Sequence, residues 1–126
     1  MAKGFGSEIT SQSSRVSALK RKVKDLNSPD DIMMNIMEVF DETEFIPDVG
    51  KYYTFVYLPK TNDIRYDEHP LVAVTAIERW GFKGINFHWG SSRNYTWQEV
   101  VGKLHVIENN EIDYLRSLKF AKFRDK

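Results

Sequence analysis

The chain of 126 residues contains no cysteine, so it can hold no disulfide framework, no thiolate metal site and no cysteine nucleophile, and it suits a reducing compartment. It has no apolar run approaching the roughly 18 to 20 residues that span a bilayer, which predicts no membrane partner. Its polar start lacks the hydrophobic core of a secretory signal, which predicts synthesis in a cytoplasm. It also lacks a surplus of either charge: 18 basic residues balance 18 acidic ones, so no global positive field draws the whole molecule onto nucleic acid. Catalytic signatures are missing too. No serine stands in a nucleophile elbow, and GFKG at 81 to 84 lacks the glycine spacing and the Lys-Ser/Thr ending of a phosphate loop.

What is present is the composition of one folded domain. Hydrophobic residues make up 41%, aromatic residues 13% and charged residues 29%, too apolar for wholesale disorder and enough for one core. The charges are segregated. Lys20, Arg21, Lys22 and Lys24 make the first segment basic, residues 30 to 48 carry seven acids and no base, and the last eleven residues carry five bases against Asp125.

Residues 1–13, MAKGFGSEITSQS, show little apolar periodicity and read as a flexible arm that orders on a partner. Residues 14–46 read as a helical hairpin. Val16, Leu19, Val23 and Leu26 recur at spacings of three, four and three, the narrow stripe of a helix that packs against one neighbour. Ser28 then suits an N-cap, Pro29 the first helical position, and Asp30 and Asp31 the positively polarised first turn. Ile32, Met33, Ile36, Met37, Val39 and Phe40 give this second helix a wider apolar face, which Pro47 and Gly50 end.

After Gly50 the period drops to two. KYYTFVYL at 51 to 58 places Tyr53, Phe55 and Tyr57 on one face; LVAVTAIE at 71 to 78 and GFKGINFHW at 81 to 89 repeat the alternation after turn-forming PKTND and DEHP. In the last of these, Ile85, Phe87 and Trp89 are expected to face the core, with Gly84, Asn86 and His88 on the reverse. About four antiparallel strands over some forty residues predict an α+β fold built on a small antiparallel sheet, bent into an SH3-like partial barrel. Thr96 with Glu99 matches a capping box, so Trp97, Val100, Val101 and Leu104 read as a helix reaching Ile107. Ile112, Leu115 and Leu118 read as a second, so that 50–118 forms a β-rich domain with C-terminal helices. The basic tail 119–126 carries Phe120 and Phe123.

The metal-like grouping is Asp67, Glu68 and His69 on a turn with His88 on a strand, but DEHP has turn composition and three converging ligands are not evident. His105 reads as a packing or capping residue. The reading is therefore no catalytic residue, no metal and no cofactor. A nucleic-acid surface is the stronger competitor: Tyr52, Tyr53, Tyr57 and Tyr66 stand among Lys51, Lys60, Arg65, Arg79 and Lys83, as stacking and phosphate contact require, but Asp63, Asp67, Glu68 and Glu78 dilute the charge.

Two blocks, YYTFVYLPKTNDIRYDEHPLV at 52 to 72 and GFKGINFHW at 81 to 89, resemble a motif pair in small proteins of contractile-tailed, mostly T4-like bacteriophages. There a YxF-Y-xPKT hairpin leads to YYDxFPL and then GFxGxNxHYLPP. This chain departs from the pattern at His69, where the family has Phe, and at HWGSS, where the family continues HYLPP. The resemblance covers the sheet region alone. It implies a virion or DNA-packaging protein and carries over no catalytic residue. Its glycines, asparagine and histidine correspond to Gly81, Gly84, Asn86 and His88, each explicable as strand and loop geometry. The expected function is that of a structural component of a phage tail, baseplate or neck, assembled in the host cytoplasm and retained in the virion. Its expected partners are other virion proteins or copies of itself, through Val16, Leu19, Val23, Leu26, Phe120 and Phe123. A nucleic-acid-binding module at phage DNA ends is the alternative.

Overall fold

The computed structural model describes residues 14–26, 29–60, 66–67, 70–118 and 123–124. It is an α+β structure: an open, six-stranded antiparallel sheet with three helices. Helix α1 spans Ser14–Val23 and α2 spans Pro29–Val39. Proline at the first position of α2 loses no hydrogen bond, because that N–H has no partner inside a helix. Lys20, Arg21 and Lys22 close α1 at the negative end of its dipole. Ser28, the expected cap, lies outside the described residues. The two helices pack together through Val16, Leu19, Val23, Ile32, Met33 and Ile36, and Lys22 reaches Glu38 at 3.4 Å across their exposed side.

The chain enters the sheet earlier than the helical reading of 14–46 allows. Strand β1 is Thr43–Glu44, followed by β2 (Tyr52–Tyr57), β4 (Leu71–Ile77), β5 (Gly81–Asn86), β6 (Ser91–Thr96) and β7 (Val100–Ile107). Between β2 and β4, β3 (Tyr66–Asp67) pairs separately with β8 (Phe123–Arg124). The order in the main sheet is β1-β7-β2-β4-β5-β6, which makes β1 and β6 the two edges. It has six strands rather than about four because β1, β6 and β7, none of them expected as strands, join β2, β4 and β5.

Strand β7 corrects the helix expected at 97 to 107. Only Trp97–Glu99 form a helical turn, a single 3₁₀ turn. Thr96 Oγ1 donates to the Glu99 carboxylate at 2.6 Å rather than capping a backbone N–H. Valine at 100, 101 and 106 and isoleucine at 107 favour a pleated strand, and Gly102, at φ +75°, interrupts any helix. The short C-terminal helix is borne out at its core: α3 spans Ile112–Ser117 with Ile112 and Leu115 buried.

Two irregularities bend the sheet. Opposite Phe55, β7 supplies Gly102, Lys103 and Leu104, because Thr54 pairs with His105 and Val56 with Val101. On β4, Thr75 is the extra residue between the pairs Val74–Gly84 and Ala76–Lys83. Bulges of this kind raise the local twist and kink the strand. The curl is measurable. Three inter-strand steps separate β2 from β6, about 14 Å in a flat sheet, yet the rings of Tyr57 and Tyr95 lie 5.1 Å apart.

The concave face is an aromatic core of Tyr53, Phe55, Tyr57, Phe82 and Tyr95, closed by Val72, Val74, Leu104 and Val106. The convex face carries Leu71, Ile107, Tyr52 and Val56 against the three helices. Tyr53, Phe55 and Tyr57 share a face as their alternation predicts. GFKGINFHW is reversed: Phe82, Gly84 and Asn86 are buried, whereas Ile85 is exposed and Phe87 and Trp89 are only half-buried. The cause is proximity. Gly84 lies against Val72, where even a Cβ would meet Cγ1 at 2.2 Å, and the helices leave Ile85 uncovered on the outside.

Candidate functional site

The curl brings the two sheet edges toward one another without pairing them, and a cleft of about 300 Å³ opens there. One wall is Phe45 and Ile46, directly after β1; the other is Trp97, directly after β6, with Val100, which opens β7; Phe82 and Leu104 form the floor. Trp97 is clipped to the turn between β4 and β5. Its backbone N–H donates to Trp80 O at 3.1 Å, its indole N–H donates to Arg79 O at 2.9 Å, and its ring lies 5.6 Å from that of Phe82. The other wall stands out from the molecule: Phe45 is 71% and Ile46 60% exposed, while Pro47 beside them is buried. Lys103 Nζ lies 5.0 Å over the Phe45 ring, a cation-π contact.

Two carboxylate clusters hold the frame of this opening. The Tyr53 hydroxyl donates to Glu44 at 2.6 Å and accepts the Asp48 N–H at 2.8 Å; Lys51 bridges Glu44 and Asp48 at 2.9 and 3.2 Å. Beyond β6, Glu99 accepts from the Tyr57 hydroxyl at 2.7 Å, from Thr96 Oγ1 at 2.6 Å and from the Lys60 N–H at 2.7 Å. Burial, then the hydrogen bond to a carboxylate, raises the phenols of Tyr53 and Tyr57 above their ordinary 10.0. Burial alone would raise Glu99 as well, but the donors from Thr96, Tyr57 and Lys60 outweigh it and set that carboxyl below its ordinary 4.5.

These shifts predict stability at both ends of the pH scale. A phenol whose folded pKa is raised lends stability that is complete below pH 10.0 and is lost as pH climbs through the folded value. Glu99, with a lowered folded pKa, lends stability present above pH 4.5 and lost as pH falls through the folded value. Melting temperature against pH should therefore decline in acid and in alkali, and Tyr57→Phe should blunt both limbs, because it removes one phenol and one donor to Glu99. An unchanged alkaline limb in Tyr53→Phe/Tyr57→Phe would contradict this assignment.

The residues singled out in the sequence lie elsewhere. Val16, Leu19 and Val23 are buried, and Leu26 packs partly on the same cluster. The stripe expected to meet a neighbouring molecule is covered by α2 and the convex core of this chain. Phe120, the arm 1–13 and His69 lie outside the described residues; Phe123 is placed by its backbone, which pairs with Asp67. Gly81 opens β5, where a Cβ would lie 1.9 Å from Tyr95 O. Asn86 is fully buried: its Oδ1 accepts the N–H groups of His88 and Trp89 at 2.8 and 3.1 Å, and its Nδ2 donates to the Tyr95 hydroxyl at 2.8 Å. This organises the turn between β5 and β6, in which Gly90 has φ +75°. His105 Nδ1 donates to Phe40 O at 2.7 Å, just beyond α2, from a strand rather than a helix. Among the described residues no three His, Cys, Asp or Glu side chains converge as metal ligands.

Phe45 and Ile46 escaped the sequence reading, although DETEFIPD sets two large apolar residues among acids before a proline, a pattern that neither helix nor core accounts for. Chemically, the arrangement offers a preformed apolar recess beside an apolar projection, suited to contact with another macromolecule. No known protein family, curated protein or solved structure matches this chain.

Proposed function

We propose that this chain is a non-enzymatic structural component of a tailed-bacteriophage particle, in its tail, baseplate or neck, acting through contacts with other particle proteins. The observation that carries the reading is the cleft mouth: Phe45 and Ile46, 71% and 60% exposed, form one wall of an apolar recess framed by part-buried hydrogen-bond clusters. Large apolar side chains grouped on a rigid rim mark an interaction surface. The phage-like motif pair supplies the context, and the curl of the sheet supports the finer reading of the domain as an SH3-like partial barrel.

The nucleic-acid alternative draws less support, because Tyr53 and Tyr57, counted among its stacking residues, have their rings in the concave core, and Lys51 is engaged by Glu44 and Asp48. Mass spectrometry of purified particles tests the proposal. The protein should appear in a fixed ratio to established particle components; its absence from particles made by cells that express it would overturn the reading.

A further inference from the structure

The fold brings basic residues from two distant parts of the chain together on its helical side. Lys20, Arg21 and Lys24 are exposed on α1 and the turn that ends it, with Lys20 and Lys24 one turn apart. Lys20 Nζ lies 5.3 Å over the ring of Tyr114 on α3, and Arg116, also exposed, follows Tyr114 by two residues on that helix. None of these four cations has an ion-pair partner among the described residues. Lys22 is matched by Glu38 across the other flank of α1. The exposed acids on the same two elements are Asp25 and Asp113, so unpaired bases outnumber them four to two. Residues 119–126, which follow α3 in the chain, add four bases to one acid. The dipole of α1 favours cations in its last turn, but it does not require that they meet those of a second helix.

We propose that this surface holds the phosphate backbone of a nucleic-acid duplex, without reading its bases. The company of the cations selects that occupant. A protein partner needs an apolar centre, and a single strand needs rings on which its bases stack. None of the exposed large hydrophobic residues lies on α1 or α3, and the Tyr114 ring is taken by Lys20. Unpaired cations without apolar neighbours suit phosphate contact, in which each one releases counterions from the polyanion. The acidic stretch of a second copy offers less, because Glu38, Glu44 and Asp48 are already paired with Lys22 and Lys51. The contact uses no residue of the sheet, so it is separate from the cleft and holds whether or not the chain enters particles.

Fluorescence anisotropy of a labelled DNA duplex titrated with the full chain, from about 50 to about 200 mM salt, tests it. Four phosphate contacts predict a slope of about −3 to −4 in log affinity against log salt, so binding should weaken about 100-fold across that range. Lys20→Gln/Arg21→Gln/Lys24→Gln should cut the slope to about −1 and weaken binding at the lower salt about tenfold or more. Arg79→Gln/Lys83→Gln, which neutralises exposed cations of β5 and the turn before it, should leave both unchanged. Should the triple variant melt early, Arg116→Gln alone, on the separate helix, should still take about 1 from the slope. No binding at about 50 mM salt, a triple variant that binds as the wild type does, or an equal loss in Arg79→Gln/Lys83→Gln overturns the proposal. So does a polyglutamate peptide that binds as tightly as DNA at matched charge, which would give the surface to an acidic protein instead.

Discussion

Gly81→Ala should cost about 3 kcal/mol or more, a large share of the roughly 5 to 15 kcal/mol that holds a domain of this size together. A Cβ there would lie 1.9 Å from Tyr95 O and 2.8 Å from Thr96 Cα. Both are backbone atoms of the paired strand, so no rotamer change relieves the clash and β5 must move away from β6. That separation falls where Tyr95 stacks on Phe82, ring centroids 5.3 Å apart, and where Thr96 holds Glu99. Gly84→Ala meets the Val72 side chain at 2.2 Å and Ala73 O at 2.8 Å; Val72 can partly give way, so the loss should be smaller. Gly90→Ala meets nothing within 4 Å and should cost about 1 kcal/mol, for its positive φ alone. Urea unfolding followed by tryptophan fluorescence should rank the three in that order. Equal losses would show that approach of β5 to β6 is not what requires glycine.

The same contrast explains which parts of the fold were legible. Periodicity identified β2 and its buried face because Tyr53, Phe55 and Tyr57 are large, alternate without interruption and have a core on that side. It reversed the face of β5 because the apolar residues there, Ile85, Phe87 and Trp89, compete with Gly84 and Asn86, which are buried for reasons of space and hydrogen bonding. Hydropathy cannot register either reason. It mistook β7 for a helix because Val100, Val101 and Leu104 fit a helical stripe when read without Gly102, whereas the strand serves both cores by plain alternation, the concave one through Leu104 and Val106 and the convex one through Ile107.

The candidate site was less legible than the fold. A stripe such as Val16, Leu19, Val23 and Leu26 requires burial against something, but sequence does not say whether the cover lies within the chain or beyond it; here α2, α3 and the sheet supply it. The cleft depends on two edges brought near each other by bulges, a property of the assembled sheet. Only the projecting Phe45 and Ile46 left a local trace, in an acidic stretch that ends at a proline.

Arg15→Met should cost about 3 kcal/mol, the lower end for breaking a buried ion pair by removing one partner, because 23% of the Arg15 side chain remains in solvent. Arg15 donates to both carboxylate oxygens of Glu111, Nε at 3.0 Å and Nη2 at 2.7 Å, and Glu111 is 1% exposed. The Glu108 N–H adds a further bond to the same carboxylate at 2.7 Å, so the group is held for a guanidinium and stays buried when that is removed. Glu111→Gln keeps an acceptor for Glu108 and should cost less, about 1 to 2 kcal/mol. Arg15→Met/Glu111→Leu should recover much of the loss, since replacing both partners leaves no buried charge. A double-mutant cycle reads the coupling; strictly additive losses would mean that the pair does not join α1 to the turn before α3. The pair also places the start of α1 within 4.0 Å of Glu42, immediately before β1, and sets the guanidinium 4.9 Å over the Phe40 ring. Its loss should therefore speed hydrogen exchange in α1 first, while the aromatic core of the concave face, which α1 does not touch, keeps its near-ultraviolet circular dichroism.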